Sequence, residues 1–448
     1  MKPILGVVAA ALALALALPT AAQTAAPLPA QPNAATPQPL SNATPTPAEP
    51  PAPGPVQPAT TATPPALSNT QATPETPAAA ATPGVTALNY GPPRWTADRA
   101  AEWYAAQPWI VGANFLPSTA INELEMFQAE TWDPITIERE LALAQSIGMN
   151  TVRVYLHDQL WAQDRQGFTR RLDQFLAIAD RHGIKTVLVL FDSCWDPDPR
   201  LGRQRDPIPG IHNSGWVQTP SRRDLIDPAQ HPRLLAYVRG VVGQFARDRR
   251  VLMWDVWNEP DNSGGGSYNP LELPGEKAAV ELLLPQVFAA ARQAGATQPL
   301  TSPLWIGDDW SPTSLSLTAI QRIQVAQSDV ISIHDYNWPE IFERRVAQAR
   351  AYGRPVIVTE WLARSNGSTV ETILPLGRQL NVGMISWGLV DGRSQTRFPW
   401  DSWDRPYVTN QPSVWFHDLF RADGTPYRER EAELFRSLTG RVRVAAGR

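Results

Sequence analysis

The chain has 448 residues, a formal net charge of −4, one cysteine and six histidines. So small a charge on so long a chain gives no electrostatic reason to expect nucleic acid or an anionic membrane as partner. A single cysteine excludes an internal disulfide, and no Cys/His cluster has zinc-ligand spacing. Stability must therefore come from burial, and no metal is expected.

The chain begins with Lys2 and a continuous apolar run from Ile4 to Leu18, followed by Pro19 and the small residues Thr20-Ala21-Ala22. That is the layout of a cleaved export signal over residues 1–22, short for a membrane span. An uncleaved anchor is the alternative. Residues 23–92 are biased to Ala, Pro, Thr and Gln, with Glu49 and Glu75 as their charges. Such a segment buries too little apolar surface to offset its ordering entropy and reads as a disordered linker, either a spacer or a dispensable tail. A secreted or periplasmic protein is expected, with no integral membrane segment once the signal is removed. At Arg94 the composition changes, and Trp95, Trp103 and Trp109 appear among mixed charges. Residues 93–448 are expected to form one domain, within the roughly 200 to 400 residues of a large barrel.

From there, short apolar runs alternate with helical patterns. The spacing predicts a strand over 109–115 and a helix over 134–146, with Asp133 as N-cap and Pro134 in the first turn. A strand over 151–156 precedes a helix over 171–181, stopped at His182-Gly183. The run at 185–191 (KTVLVLF) is nearly continuously apolar, as a strand buried on both faces should be. A helix over 232–247 leads to a strand over 251–256, and a helix over 276–294 to a weaker strand over 300–306. Helices over 317–325, 340–352 and 369–380 precede strands over 330–334, 355–359 and 384–389. Eight such units predict an α/β fold, a (β/α)8 TIM barrel. The rival, an open doubly wound sheet, lacks its Gly-rich phosphate turn after an early strand.

In such a barrel, chemistry sits where strands end. The fourth strand ends Trp257-Asn258-Glu259-Pro260 and the seventh Thr359-Glu360-Trp361. A carboxylate at the end of an apolar strand is costly to bury without a partner or a purpose, and these two point into one mouth. Glycosidic cleavage needs such a pair: one protonated for the leaving oxygen, one ionised for the anomeric carbon. A separation of about 5–5.5 Å gives retention and about 6.5–9.5 Å inversion. At the shorter distance the two titrate as a pair, one pKa raised by the other's charge.

The WNEP after a strand, with Thr-Glu-Trp three units later, resembles the barrel glycosidase clan A that includes the cellulase family, glycoside hydrolase family 5. The resemblance covers most of residues 95–448. It implies a retaining β-glycoside hydrolase without cofactor, with Glu259 as acid/base and Glu360 as nucleophile. It further implies that Arg153, in Thr-Val-Arg-Val, hydrogen-bonds near the nucleophile. In His334-Asp335-Tyr336, Tyr336 would orient the nucleophile and His334 would line the sugar site. Trp387 would floor the cleavage subsite, and Asn258 would hold the sugar 2-hydroxyl. The implied partner is a β-linked poly- or oligosaccharide of glucan, mannan or xylan type, and a monomer is expected. Each residue has a plainer reading: Arg153 as a core ion pair, His334 as a structural histidine, Trp387 as core.

One departure stands out. The family usually has a His at the end of strand three, where this chain reads Phe191-Asp192-Ser193-Cys194-Trp195. Asp192 is expected to bind a sugar hydroxyl, or His157 to occupy the space. Cys194 is read as a small buried residue without chemistry. Loops over 192–228, 261–275 and 393–403 carry Trp195, His212, Asn213, Trp216, Trp400 and Trp403. They are expected to wall the cleft and set substrate length, with Trp195 as a sugar contact, although each Trp could equally pin its loop. The same residues leave open a noncatalytic surface carbohydrate-binding barrel, or a transglycosylase using the same covalent intermediate.

Overall fold

The computed structural model describes residues 92–262 and 267–441. The expected leader and, apart from Pro92, the biased segment lie outside these residues, as does Gly264-Gly265-Gly266.

Eight parallel strands form one sheet: β1 (Val111–Asn114), β2 (Thr151–Tyr155), β3 (Lys185–Val189), β4 (Val251–Asp255), β5 (Leu300–Thr301), β6 (Ile331–His334), β7 (Val356–Glu360) and β8 (Gly383–Ser386). Their order is β5-β4-β3-β2-β1-β8-β7-β6. The ends of this order, β5 and β6, are joined by a single bridge from Leu304 to Ile333. Leu304 N–H donates to Ser332 O (3.0 Å), His334 N–H donates to Leu304 O (2.8 Å), and the Thr301 and Ser332 hydroxyls meet at 2.7 Å. The result is a (β/α)8-like, nearly closed barrel. The expected fifth strand ran to 306, but Pro303 has no N–H for a ladder, and the regular strand stops at Thr301.

Apart from Lys185 at the start of β3, every strand residue is buried, because helices cover the outside and side chains fill the inside. The helices stand close to their sequence expectations: Pro134–Ser146, Arg165–Arg181, His231–Phe245, Glu276–Gln293, Ala319–Gln327, Pro339–Arg350 and Val370–Gln379. Asp133 caps the first of these by accepting from Thr136 N–H. Thr318 and Gln321 form a reciprocal capping box at the start of Ala319–Gln327.

The sequence reading did not place helices Ala97–Ala105 or Glu429–Thr439. Trp95 and Ala100 pack with Ile110, Val187, Met253, Val330, Ile357 and Ile385, so the first helix and its flanking residues close the N-terminal end of the barrel interior. The opposite, C-terminal end carries the chemistry-bearing side chains. Among the described residues, no helix is long and apolar enough to cross a membrane.

Candidate active site

Arg153 lies at the centre of the barrel mouth and is fully buried. It sits on β2 with its side chain inward, and Tyr155, two residues on, shares that face because side chains alternate along a strand. The guanidinium reaches the ends of three other strands. Its Nη1 donates to Glu360 Oε1 at the end of β7 (2.8 Å) and to Asn114 Oδ1 on β1 (2.8 Å). Its Nε and Nη2 both donate to Asp255 Oδ2 on β4 (3.1 and 2.8 Å), and Nη2 also donates to Asn258 Oδ1 (2.5 Å). The planar fork of arginine makes such multiple contacts possible.

Three donors converge on the Glu360 carboxylate. Besides Arg153, the Tyr155 hydroxyl donates to Oε1 at 2.8 Å and the Tyr336 hydroxyl to Oε2 at 2.7 Å. Tyr336 follows β6, whose register with β7 shifts between Ile333 and His334, so that His334 stands opposite Glu360. His334 Nδ1 lies 3.4 Å from Glu360 Oε2 and 2.6 Å from Glu259 Oε1. One oxygen of Glu259, one of Glu360 and a nitrogen of His334 all lie within 4.8 Å of one another.

Glu259 stands just past the end of β4 with φ +40°, in the left-handed region. That bend, between Asn258 and Pro260, is uncommon for a residue with a side chain and belongs with strained functional positions. Glu259 Oε2 accepts from Asn262 Nδ2 (2.7 Å) and from the Cys194 thiol (3.3 Å). Burial pushes the Glu259 carboxyl up to about 7, although Asn262 and Cys194 pull it down. Burial drops His334 to about 3, although the Glu360 charge pulls the other way, so the ring is neutral. The Glu259–His334 bond therefore carries one proton, donated either by the acid to bare Nδ1 or by Nδ1–H to the carboxylate.

Asn258 is held on both sides. Its Oδ1 accepts from Arg153, and its Nδ2 donates to Asp192 Oδ1 at 2.8 Å. The other Asn258 contact from Nδ2 is the Cys194 sulfur at 3.4 Å, a weak acceptor. Trp387, after β8, is half-buried and meets Tyr155 and Trp216 edge to face, with ring centroids 5.9 and 5.8 Å apart.

The structure thus brings together Arg153, Asn258, Glu259, His334, Tyr336, Glu360 and Trp387. Three residues expected to contact sugar stand differently. Asp192 Oδ2 accepts from the Trp216 indole at 2.7 Å, its Oδ1 accepts from Asn258 and from Cys194 N–H (3.1 Å), and it is 1% exposed. It anchors Asn258 and offers no free oxygen to a ligand. Burial raises it to about 7 despite those bonds. His157 is fully buried: its Nδ1 caps the following helix by accepting from Gln159 N–H (3.1 Å), and its Nε2 meets Gln218 O (3.1 Å). Both nitrogens have protein partners, so His157 does not fill the place of the missing histidine. Trp195, with φ +69°, stacks face to face on Trp403 at 5.4 Å, which ties two loops together.

Sequence reasoning passed over Asn114, Tyr155, Asp255 and Asn262. Tyr155 was legible as the same-face neighbour of Arg153, and Asp255 as a lone acid inside an apolar strand needing a cation. Cys194, read as a small buried residue without chemistry, also donates its thiol to Glu259.

The sequence profile described as Cellulase (glycosyl hydrolase family 5) matches residues 116–393. No curated protein matches the chain. Among solved structures, a protein from Streptomyces cattleya in complex with Manβ1-4GlcNAc aligns with a TM-score of 0.52 at 15% identity, over 76% of this chain and 82% of that one. A protein from Bifidobacterium longum subsp. longum aligns at 0.52 and 15%, over 76% and 80%. An exo-β-1,4-mannosidase from Opitutaceae bacterium strain TAV5 aligns at 0.50 and 20%, over 76% of this chain and 61% of that one. At such identities the three show a shared fold.

Proposed function

From the premise that the chain belongs to glycosyl hydrolase family 5, we propose that it cleaves β-linked sugars of the mannan and glucan class, with Glu360 as nucleophile and Glu259 as acid/base. The observation that carries this reading is that one oxygen of Glu259 and one of Glu360 lie within 4.8 Å of each other. That leaves room for one sugar carbon and its leaving oxygen, and falls short of the roughly 6.5–9.5 Å that a water between acid and base requires.

In the first step Glu360 attacks the anomeric carbon while Glu259 gives its proton to the departing oxygen. The glycosidic bond breaks and a glycosyl ester forms on Glu360. In the second step water attacks the same carbon, Glu259 takes its proton, and Glu360 leaves, so that two inversions give net retention. The raised Glu259 supplies the acid form near neutrality. Arg153, Tyr155 and Tyr336 hold Glu360 in place, and Asn258 presents an N–H for the sugar 2-hydroxyl. Trp387 provides an apolar face for the ring.

Mannosyl linkages come first in this class, since solved relatives of the same fold hold Manβ1-4GlcNAc or are described as an exo-β-1,4-mannosidase. The apolar leader at residues 4–18 supports export to the periplasm or beyond.

The role assignment is tested by chemical rescue on a β-glycoside with a good leaving group. Glu360→Ala with azide should yield the α-glycosyl azide, because azide then attacks directly from the vacated face. Glu259→Ala with azide should yield the β-glycosyl azide, because the ester still forms. Swapped products would reverse the roles, and a wild-type protein inert toward all β-linked substrates would refute the reading.

A further inference from the structure

Beside Trp387 a pocket opens that shares Asn114 and Tyr155 with the Arg153 network and is further lined by Trp216, Asn213, Thr396 and Asp418. It contains about 360 Å³ of empty space, part of it open to solvent.

The far wall of this pocket is made of three loops, from β1, β3 and β8, hydrogen-bonded to one another. The β3 and β8 loops are joined mostly through their backbones. Asn213 N–H donates to Ser394 O (2.8 Å), Tyr407 N–H to Gly210 O (3.0 Å) and His212 N–H to Ser402 Oγ (2.9 Å). The Gln395 amide closes the seam: it accepts from Gly210 N–H (3.0 Å) and donates to Ile208 O (2.8 Å) and Ile211 O (3.2 Å). The β1 loop joins both others, through Asn122 Nδ2 to Gly215 O (2.9 Å) and through Arg393 N–H to Ser118 O (3.0 Å). Trp195 on Trp403 adds a stacked pair to the seam.

The pocket also holds an unanswered polar group. Asn213 is 1% exposed, sits at φ +49°, and neither its Nδ2 nor its Oδ1 has a hydrogen-bond partner among the described residues. Leaving both ends of a buried amide unpaired costs free energy, so in solution they are answered by water or by a ligand's hydroxyl groups. Asp418, also 1% exposed and in the left-handed region, accepts from the Thr396 hydroxyl with both oxygens.

Position decides which part of a substrate this pocket takes. The proton donor must touch the leaving oxygen, so the departing sugar lies on the Glu259 side. The sugar attached to Glu360 then extends the other way, over β8, β1 and β2, where the walled pocket lies. We infer that the joined loops make a blind pocket for the non-reducing end of a chain, read by Asn213 and Asp418, so that the protein releases terminal sugars one at a time and does not cut within a chain. This rests on the β-glycosidase reading above. A chain passing through would have to open the loop seam.

The test uses two β-1,4-linked pentasaccharides of the preferred sugar, both labelled at the reducing end, one with its terminal non-reducing 4-hydroxyl methylated. The free pentaose should give monosaccharide and labelled tetraose from the first time point, and the capped one should turn over at least 100-fold more slowly. Di- or trisaccharide in the first products, or equal cleavage of the capped pentaose, overturns the chain-end inference and leaves the retaining mechanism standing. If neither pentaose nor any aryl β-glycoside is turned over, the glycosidase reading fails and this inference with it. Asn213→Ala should lower kcat/KM on the free pentaose 10- to 100-fold, mainly through KM, with kcat little changed. An unaltered KM would remove Asn213 from recognition.

Discussion

At the scale of single residues, the site is organised by one cation shared among several acceptors. Replacing Arg153 by Met leaves Asp255 and Glu360 buried without their counter-charge. Breaking such a buried pair costs about 3–5 kcal/mol, and kcat should fall by at least about 100-fold, the scale of losing a preorganised electrostatic contact. Arg153→Lys should rescue little of this, because one ammonium cannot span Asn114, Asp255, Asn258 and Glu360. Denaturant unfolding and steady-state kinetics measure both effects. As the proposed acid, Glu259 should set the alkaline limb of activity: its carboxyl is raised to about 7 by burial, so kcat/KM should fall as pH rises through about 7 and the acid loses its proton. Asn262 stabilises the ionised form of Glu259 through a 2.7 Å bond. Asn262→Ala should therefore raise the Glu259 pKa and move that limb to higher pH. A limb that moved down, or stayed, would separate it from Glu259. Glu259, Glu360 and Arg153 were legible in sequence because charged residues ending apolar strands need a reason. The Cys194 contact was not legible because a thiol's neighbours come from another strand, 65 residues away in Glu259.

At the scale of elements, strand ends do the positioning. β4 and β7 deliver the two acids, β2 the guanidinium, and the shifted β6–β7 register delivers His334. These strands were readable because both faces are buried, which leaves continuous apolar runs. β5 was overread, since apolar content alone does not show that Pro303 interrupts the ladder. The loops were readable as long and tryptophan-rich, but not which of them meet, because much of the seam uses backbone groups, which every residue type carries. Hence Trp195 turned out to face Trp403, and Asp192 to hold Asn258. One close approach sets the front of the barrel: a Cβ on Gly112 would lie 1.8 Å from Thr151 O. The two strands pair there, Gly112 opposite Thr151. Gly112→Ala should therefore destabilise by about 1–3 kcal/mol or more, read as a lower denaturant midpoint. A neutral substitution would mean that β1 and β2 do not pair so closely.

At the scale of the whole molecule, stability against pH follows from two sets of buried groups. Burial raises Asp192, Glu259 and Asp418 to about 7. Protonated, they favour the fold, and that contribution is lost as pH climbs from about 4 through 7. Burial lowers His212 to about 4 and His334 to about 3. Their contribution is present above about 6.5 and is lost as pH falls toward 3. The two trends oppose each other between about pH 4 and 6.5, so the thermal midpoint should be highest there and decline on both sides. A midpoint still rising at pH 8 would contradict this. Retention by this route requires a covalent intermediate formed between two acids that face each other across a barrel mouth. The most direct measurement is intact mass and peptide mapping after incubation with a 2-deoxy-2-fluoro β-glycoside bearing a good leaving group, which slows release of the ester. The account expects one glycosyl unit attached to Glu360. A label on Glu259 or elsewhere, or no label together with an inverted product, would contradict it.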